Sequence, residues 1–246
     1  MSWTVLSRTV MIVAECWAYN VALTPPNPPP PKEEVKKHTD TMPLSVYWMA
    51  KIWKGLFYST ALIEVVAVAA THLPLDEYAT QLHLAPLVPV MKHLRGLIGA
   101  SNLNLFISPE SVVGCGLAVG GALLRMWCYR TLAKAFTFEL SVKDGHKLVQ
   151  SGPYAYVRHP SYTGYYALMI GAAMLTYGRG SWWGQVGFSF GVWRCLAMAH
   201  VGWQVLLMSS FWGRCDLEDQ VLKEHFKGEW VKWAKNVPYR LIPGVL

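Results

Sequence analysis

Two stretches of this chain carry residue types that do chemistry. The first reads His146-Lys147-Leu148-Val149-Gln150-Ser151-Gly152-Pro153-Tyr154 and continues as Arg158-His159-Pro160-Ser161-Tyr162-Thr163-Gly164. Pro153 and Pro160 lack an amide proton and restrict the residue before them, so the stretch is a shaped loop that opens into a helix. Histidine, arginine and tyrosine among turn-forming Gly and Pro read as a ligand cradle; equally, Arg158 reads as a topological anchor and Tyr162 as an interfacial ring. The second stretch is Arg214-Cys215-Asp216-Leu217-Glu218-Asp219. Arg214 and Glu218 are four apart and share a helix face. They form either an ordinary ion pair, worth about 0.2–0.5 kcal/mol and in the less favourable order, or two opposite charges aimed at a zwitterionic or carboxylate ligand.

Other chemistries are excluded. The eight histidines form no HxxxH or HxxHH box, and no metal is expected. GxSxG, P-loop and HExxH patterns are missing. The glycine-rich run Gly114–Gly121 sits inside an apolar segment and follows no strand, so it is no dinucleotide fingerprint. Five cysteines, an odd number with no CxxC pair, read as small buried hydrophobes. The last four residues hold no cysteine, so the chain carries no prenylation box of its own. A net charge of +7 without a basic ribbon argues for membrane topology over nucleic-acid binding.

The elements that must hold these residues are membrane helices. Of 246 residues, 53% are apolar and only 15% charged, against about a quarter charged in an ordinary soluble domain. Twelve Trp and twelve Tyr suit membrane–water interfaces. Apolar runs predict an all-α integral membrane protein with about five spans, at 3–23, 46–71, 110–130, 161–177 and 184–211. Arg8 and Glu15 weaken the first, and Arg194 falls mid-way through the fifth. Segment 72–108, broken by Pro86 and Pro89, is a re-entrant or interfacial piece. Gly116/Gly120 and Gly187/Gly191 predict close helix approach. A proline-rich linker at 24–45 separates the first two spans, and the chain divides into N-terminal spans (1–130) and a functional module (131–246). Segments 24–54, 125–158 and 212–246 hold 17 of the 22 Lys and Arg residues, which places both chemical stretches on one, cytosolic, face.

In these residues the chain resembles the isoprenylcysteine carboxyl methyltransferase family. The resemblance rests on H-x-L-V-x-x-G-x-Y from His146, R-H-P-S-Y-x-G from Arg158, and R-x-x-x-E from Arg214 to Glu218. It closes on the Val237-Pro238 and Ile242-Pro243 pairs and covers about 40% of the chain. It implies an S-adenosylmethionine-dependent enzyme of the endoplasmic reticulum membrane, with a cytosolic cofactor-binding loop and C-terminal tail. Its acceptor would be the C-terminal prenylcysteine of CaaX proteins, with membrane lipid around it. Carried residue by residue, it assigns cofactor contacts to His146, Lys147, Leu148, Val149, Tyr154, His159, Pro160, Ser161, Tyr162 and Glu218. It adds Glu139 more weakly, gives Arg214 to the prenylcysteine, and makes Arg214 and Glu218 the catalytic pair. The chain departs from the pattern at Lys227, where the family has Gly, at Trp230 and Trp233, which replace Tyr, and at Asp219, which replaces the second acid. The tail is one residue longer. A phospholipid N-methyltransferase or other lipid-site enzyme, a sterol reductase included, and a non-catalytic scaffold remain the competing readings.

Overall fold

The computed structural model describes residues 3–30, 46–73, 75–81, 83, 86, 88–97, 103–139, 147–188 and 191–245. Among them the protein is all helical: α1 (Trp3–Ala22), α2 (Val46–His72), α3 (Leu75–Gln81), α4 (Val88–Leu97), α5 (Pro109–Leu132), α6 (Pro160–Tyr177), α7 (Gly191–Phe226) and α8 (Gly228–Asn236). The starts follow from local chemistry. Ser108 caps α5, its Oγ accepting the Ser111 amide at 3.3 Å, and Pro109 takes the first helical position, where no amide proton is needed. Pro160 opens α6 in the same way.

The all-α expectation is borne out among the described residues. Among the described residues three helices are long and apolar enough to cross a membrane: Tyr47–His72, Pro109–Ala135 and Gly191–Phe226. Helices α1 and α6 lie where spans were expected, but Arg8 and Glu15 dilute the first and four tyrosines the second. The pieces of 72–108 are short helices of seven and ten residues, as its prolines implied. The fifth span starts later and runs further than expected. A π-turn at Trp183–Gly187 precedes it, Arg194 is exposed in its first turn, and its 36 residues carry Arg214 and Glu218 on one unbroken helix. At 1.5 Å per residue that is about 54 Å, well beyond a hydrocarbon core of about 30 Å.

The chain forms two compact units. Unit 1 comprises 1–17, 56–117 and 170–203. Its core joins Val5, Val68 and Leu105 to Trp182 and Trp183, which meet edge to face at 4.9 Å. One of the charged residues that weaken the apolar runs, Arg8, is paired here. Arg8, 1% exposed, pairs with Glu64 at 2.8 Å, and Glu64 also accepts the Trp182 amide at 3.0 Å.

Unit 2 comprises 18–55, 118–169 and 204–246. Here α5 and α6 touch through glycine, though not the glycines expected. A side chain at Gly116 or Gly120 would meet open space. A Cβ on Gly164 would instead stand 2.6 Å from the Gly121 carbonyl oxygen, so helix packing requires the last residue of the R-H-P-S-Y-x-G run to be glycine. The start of the proline-rich linker is tied down by Asn27, whose Nδ2 donates to the carbonyls of Ala133 and Phe136 at 2.7 and 2.8 Å. The charged run 32–40 lies outside the described residues.

Candidate active site

The functional loop keeps its shape through three local devices. Gly152 adopts φ +61° against Thr131 and Trp127, a conformation that disfavours any side chain. Pro153 and Tyr154 are buried in a 3₁₀ turn, and Trp233 of α8 donates Nε1 to the Tyr154 carbonyl at 3.3 Å. The chain after α8 then straps the loop. Arg158 and His159 donate their amides to the carbonyls of Tyr239 and Arg240 at 3.0 and 2.8 Å. Arg158 Nη1 holds the Val237 and Pro238 carbonyls, and Thr163 Oγ1 donates to Leu241 O at 2.6 Å.

Inside this frame one imidazole sits between two carboxylates. His159, 4% exposed, places Nε2 3.1 Å from Asp219 Oδ1 and Nδ1 3.6 Å from Glu218 Oε2. Tyr162 stacks on the imidazole at 5.7 Å and donates its hydroxyl to the same Glu218 oxygen at 2.9 Å. Burial alone would depress the imidazole, but hydrogen bonds and attraction from Asp219 and Glu218 outweigh it and lift its pKa to about 9. His159 is therefore an imidazolium at neutral pH. Asp219 also accepts Arg158 Nε at 3.2 Å and lies 3.7 Å from Arg240, so one buried acid ties loop, helix and strap together.

These side chains open onto a cavity of about 170 Å³. More than ten times the roughly 10–15 Å³ that one water requires, it is a ligand-sized space. Of the residues assigned from the sequence, Glu139, Lys147, Leu148, Val149, Tyr154, His159, Ser161, Tyr162, Arg214 and Glu218 all line it. Pro160 does not; it is fully buried as the first residue of α6 and acts through the helix it starts. His146 lies outside the described residues. Arg214 donates Nη2 to the Phe138 carbonyl.

Sequence reasoning missed Arg125, which had counted only as a topological cation. It is 4% exposed and lines the cavity. Its guanidinium donates to Ala22 O, Tyr129 Oη, Ser161 O and Ser161 Oγ at 2.9–3.1 Å and is flanked by the rings of Tyr129, Phe138 and Tyr165. No carboxylate among the described residues pairs with it. The signal was present, since an arginine inside an apolar span is expected to serve a site.

Residues 112–196 match the sequence profile of the isoprenylcysteine carboxyl methyltransferase family. The chain is 24% identical over 189 residues to "Protein-S-isoprenylcysteine O-methyltransferase B" of Arabidopsis thaliana, covering 74% of this chain and 85% of the relative. It is 28% identical over 129 residues to "Protein-S-isoprenylcysteine O-methyltransferase" of Saccharomyces cerevisiae, and 28% over 130 residues to the Homo sapiens protein of the same name. Both matches cover 52% of this chain but only 46% and 39% of those longer relatives. The departures from the family's pattern now have a physical reading. Lys227 links α7 to α8 at φ +48°, which explains why the family places glycine there. Trp233 is buried in the wall behind Tyr154, and Trp230 packs beside it.

Proposed function

We propose that this protein transfers a methyl group from S-adenosylmethionine to the C-terminal carboxylate of a prenylated cysteine. The observation that carries this reading is the pair of cations, Arg125 and Arg214, on the same cavity as the Glu218–His159–Asp219 cluster. Arg125 is buried with no carboxylate partner among the described residues, which is costly, and an anionic ligand removes the cost. Guanidinium groups bind a carboxylate in fixed orientation, which in-line transfer demands.

The residues also suit the donor. Glu218 offers a carboxylate to a positively charged ligand, and Tyr154, Leu148 and Trp233 offer an apolar, aromatic wall to a purine. When bound, the donor supplies a methyl group on a sulfonium, and the sulfur keeps the bonding electrons when that methyl passes to a carboxylate oxygen. The protein's part is placement and exclusion of water. Arg214 and Arg125 hold the acceptor, Glu218 holds the donor, and His159 and Tyr162 hold Glu218. Such a nucleophile gains from desolvation, which the enclosing loop and strap supply. A phospholipid N-methyltransferase would methylate an amine, a nucleophile that needs no guanidinium to orient it.

Apolar spans make this a membrane protein, and charge asymmetry favours a cytosolic site, with 131–246 as the catalytic module; the endoplasmic reticulum membrane is what the family resemblance implies. The test is transfer of a labelled methyl group from S-adenosylmethionine to a farnesylcysteine analogue in membranes. Wild type should label the analogue, and Arg214→Ala and Glu218→Ala should not. An inactive wild type, beside a working homologue, would sink the reading. Undiminished labelling by Arg214→Ala would sink that residue's role.

A further inference from the structure

We infer that Trp53 sets the length of prenyl chain the acceptor site takes, an inference that rests on the methyltransferase reading above. The cavity lining divides by chemistry. On one side Glu218 and His159 share the lining with Tyr154 and Trp233, whose cluster extends to Cys128 and Val237. On the other side both cations meet Phe138: Arg214 through the backbone carbonyl and Arg125 over the ring at 5.7 Å. Phe138 in turn stacks on Tyr47 at 5.8 Å and packs with Tyr129, Phe136 and Ala50. The lining that continues from the carboxylate-binding cations therefore leads onto the first turns of α2.

That continuation is uniformly apolar. From the end of α1 and from α2 the cavity is lined by Leu23, Met49, Ala50 and Trp53, with no polar side chain among them. This wall offers an apolar path to a prenyl group carried on the same cysteine as the carboxylate. Met49 and Trp53 are four apart and share one face of α2. Trp53 is the last α2 residue to line the cavity, and it is 1% exposed. A buried indole across an apolar limb is a stop. A fourth isoprene unit adds five carbons, and the bulk of Trp53 decides whether they fit.

The experiment uses the full chain in membranes and two acceptors, S-farnesyl and S-geranylgeranyl N-acetylcysteine, with kcat/KM measured for each. Trp53→Ala should raise the geranylgeranyl-to-farnesyl ratio about tenfold, and Trp53→Leu by less, with KM for the methyl donor unchanged. The ratio is taken within each variant, so the amount of folded protein cancels. A ratio that stays within twofold of wild type in both variants would overturn the inference. So would a folded Trp53→Leu protein that no longer turns over the farnesyl acceptor. Failure of wild type on both acceptors would break the methyltransferase reading itself, which separates the two outcomes.

Discussion

Each unit of this protein buries a cluster of charges, and the two are built to opposite ends. In unit 1, Arg8 and Glu64 close on each other at 2.8 Å, and the Trp182 and Trp183 amides fill the remaining carboxylate positions. The void beside them, bounded by Arg8, Glu15 and Thr60, is about 10 Å³, the scale of one water. In unit 2, Glu218, His159 and Asp219 are linked, yet Arg125 has no acid partner among the described residues, and the cluster faces a cavity of about 170 Å³. Burial of charge alone thus does not mark a site. A charge closed on its partner holds helices together; a charge left open onto space is arranged for something that arrives.

The sharpest way to break this contrast is to remove one cation from each cluster. Arg8→Met leaves Glu64 buried without its partner and should cost about 3–5 kcal/mol of stability, read as a large drop in thermal midpoint in detergent. The protein that remains folded should keep its KM values. Arg125→Ala should instead lower methyl transfer about 10²–10³-fold, as loss of a charge-stabilising donor does elsewhere. Equal effects on stability and turnover from the two substitutions would erase the distinction.

Asp219→Asn is a subtler probe, because Asp219 does not line the cavity and acts through His159, Arg158 and Arg240. It should weaken donor affinity about tenfold, the scale of one lost charge-assisted hydrogen bond, and move the alkaline limb of the activity profile to lower pH. An alkaline limb in Asp219→Asn that stays where wild type has it would make Asp219 merely structural.

The pH dependence of the open cluster has a definite sign. His159 titrates near 9 in the folded protein, above its ordinary value of about 6.5. Its contribution to stability is thus complete below about 6.5 and is lost as pH rises through about 9. Thermal midpoints between pH 7 and 10 should fall in wild type and flatten in His159→Gln. The smallest effect belongs to the linker between α7 and α8. Lys227→Gly relieves a left-handed residue and should raise stability by about 1 kcal/mol, with turnover unchanged.

Much of this was legible in the order of residues. Apolar runs and prolines located α5, α6 and the loop between them, because a missing amide proton and a fixed φ act locally. The H-x-L-V-x-x-G-x-Y, R-H-P-S-Y and R-x-x-x-E runs, with Glu139, gave ten assigned residues that line one cavity. Their glycines are explained residue by residue, by positive φ at Gly152 and by contact with Gly121 at Gly164. Other readings erred where local pattern is ambiguous. Gly116 and Gly120 have the spacing of a packing pair, but they point to open space, since spacing specifies a face and not what covers it. The fifth span was bounded by hydropathy, which cannot see that a helix continues into polar sequence through Phe226.

By itself, then, the sequence determined a helical membrane protein with a loop that resembles a methyltransferase family, because composition, proline and motif spacing act at short range. Only the tertiary structure decided which charges are closed and which are open. Arg8 and Arg125 are alike in sequence, each an arginine within an apolar helix. One finds Glu64 across 56 residues, and the other finds carbonyls, hydroxyls and a cavity. That choice depends on partners brought together by the fold, and pairing at long sequence separation leaves no mark on either residue's neighbours.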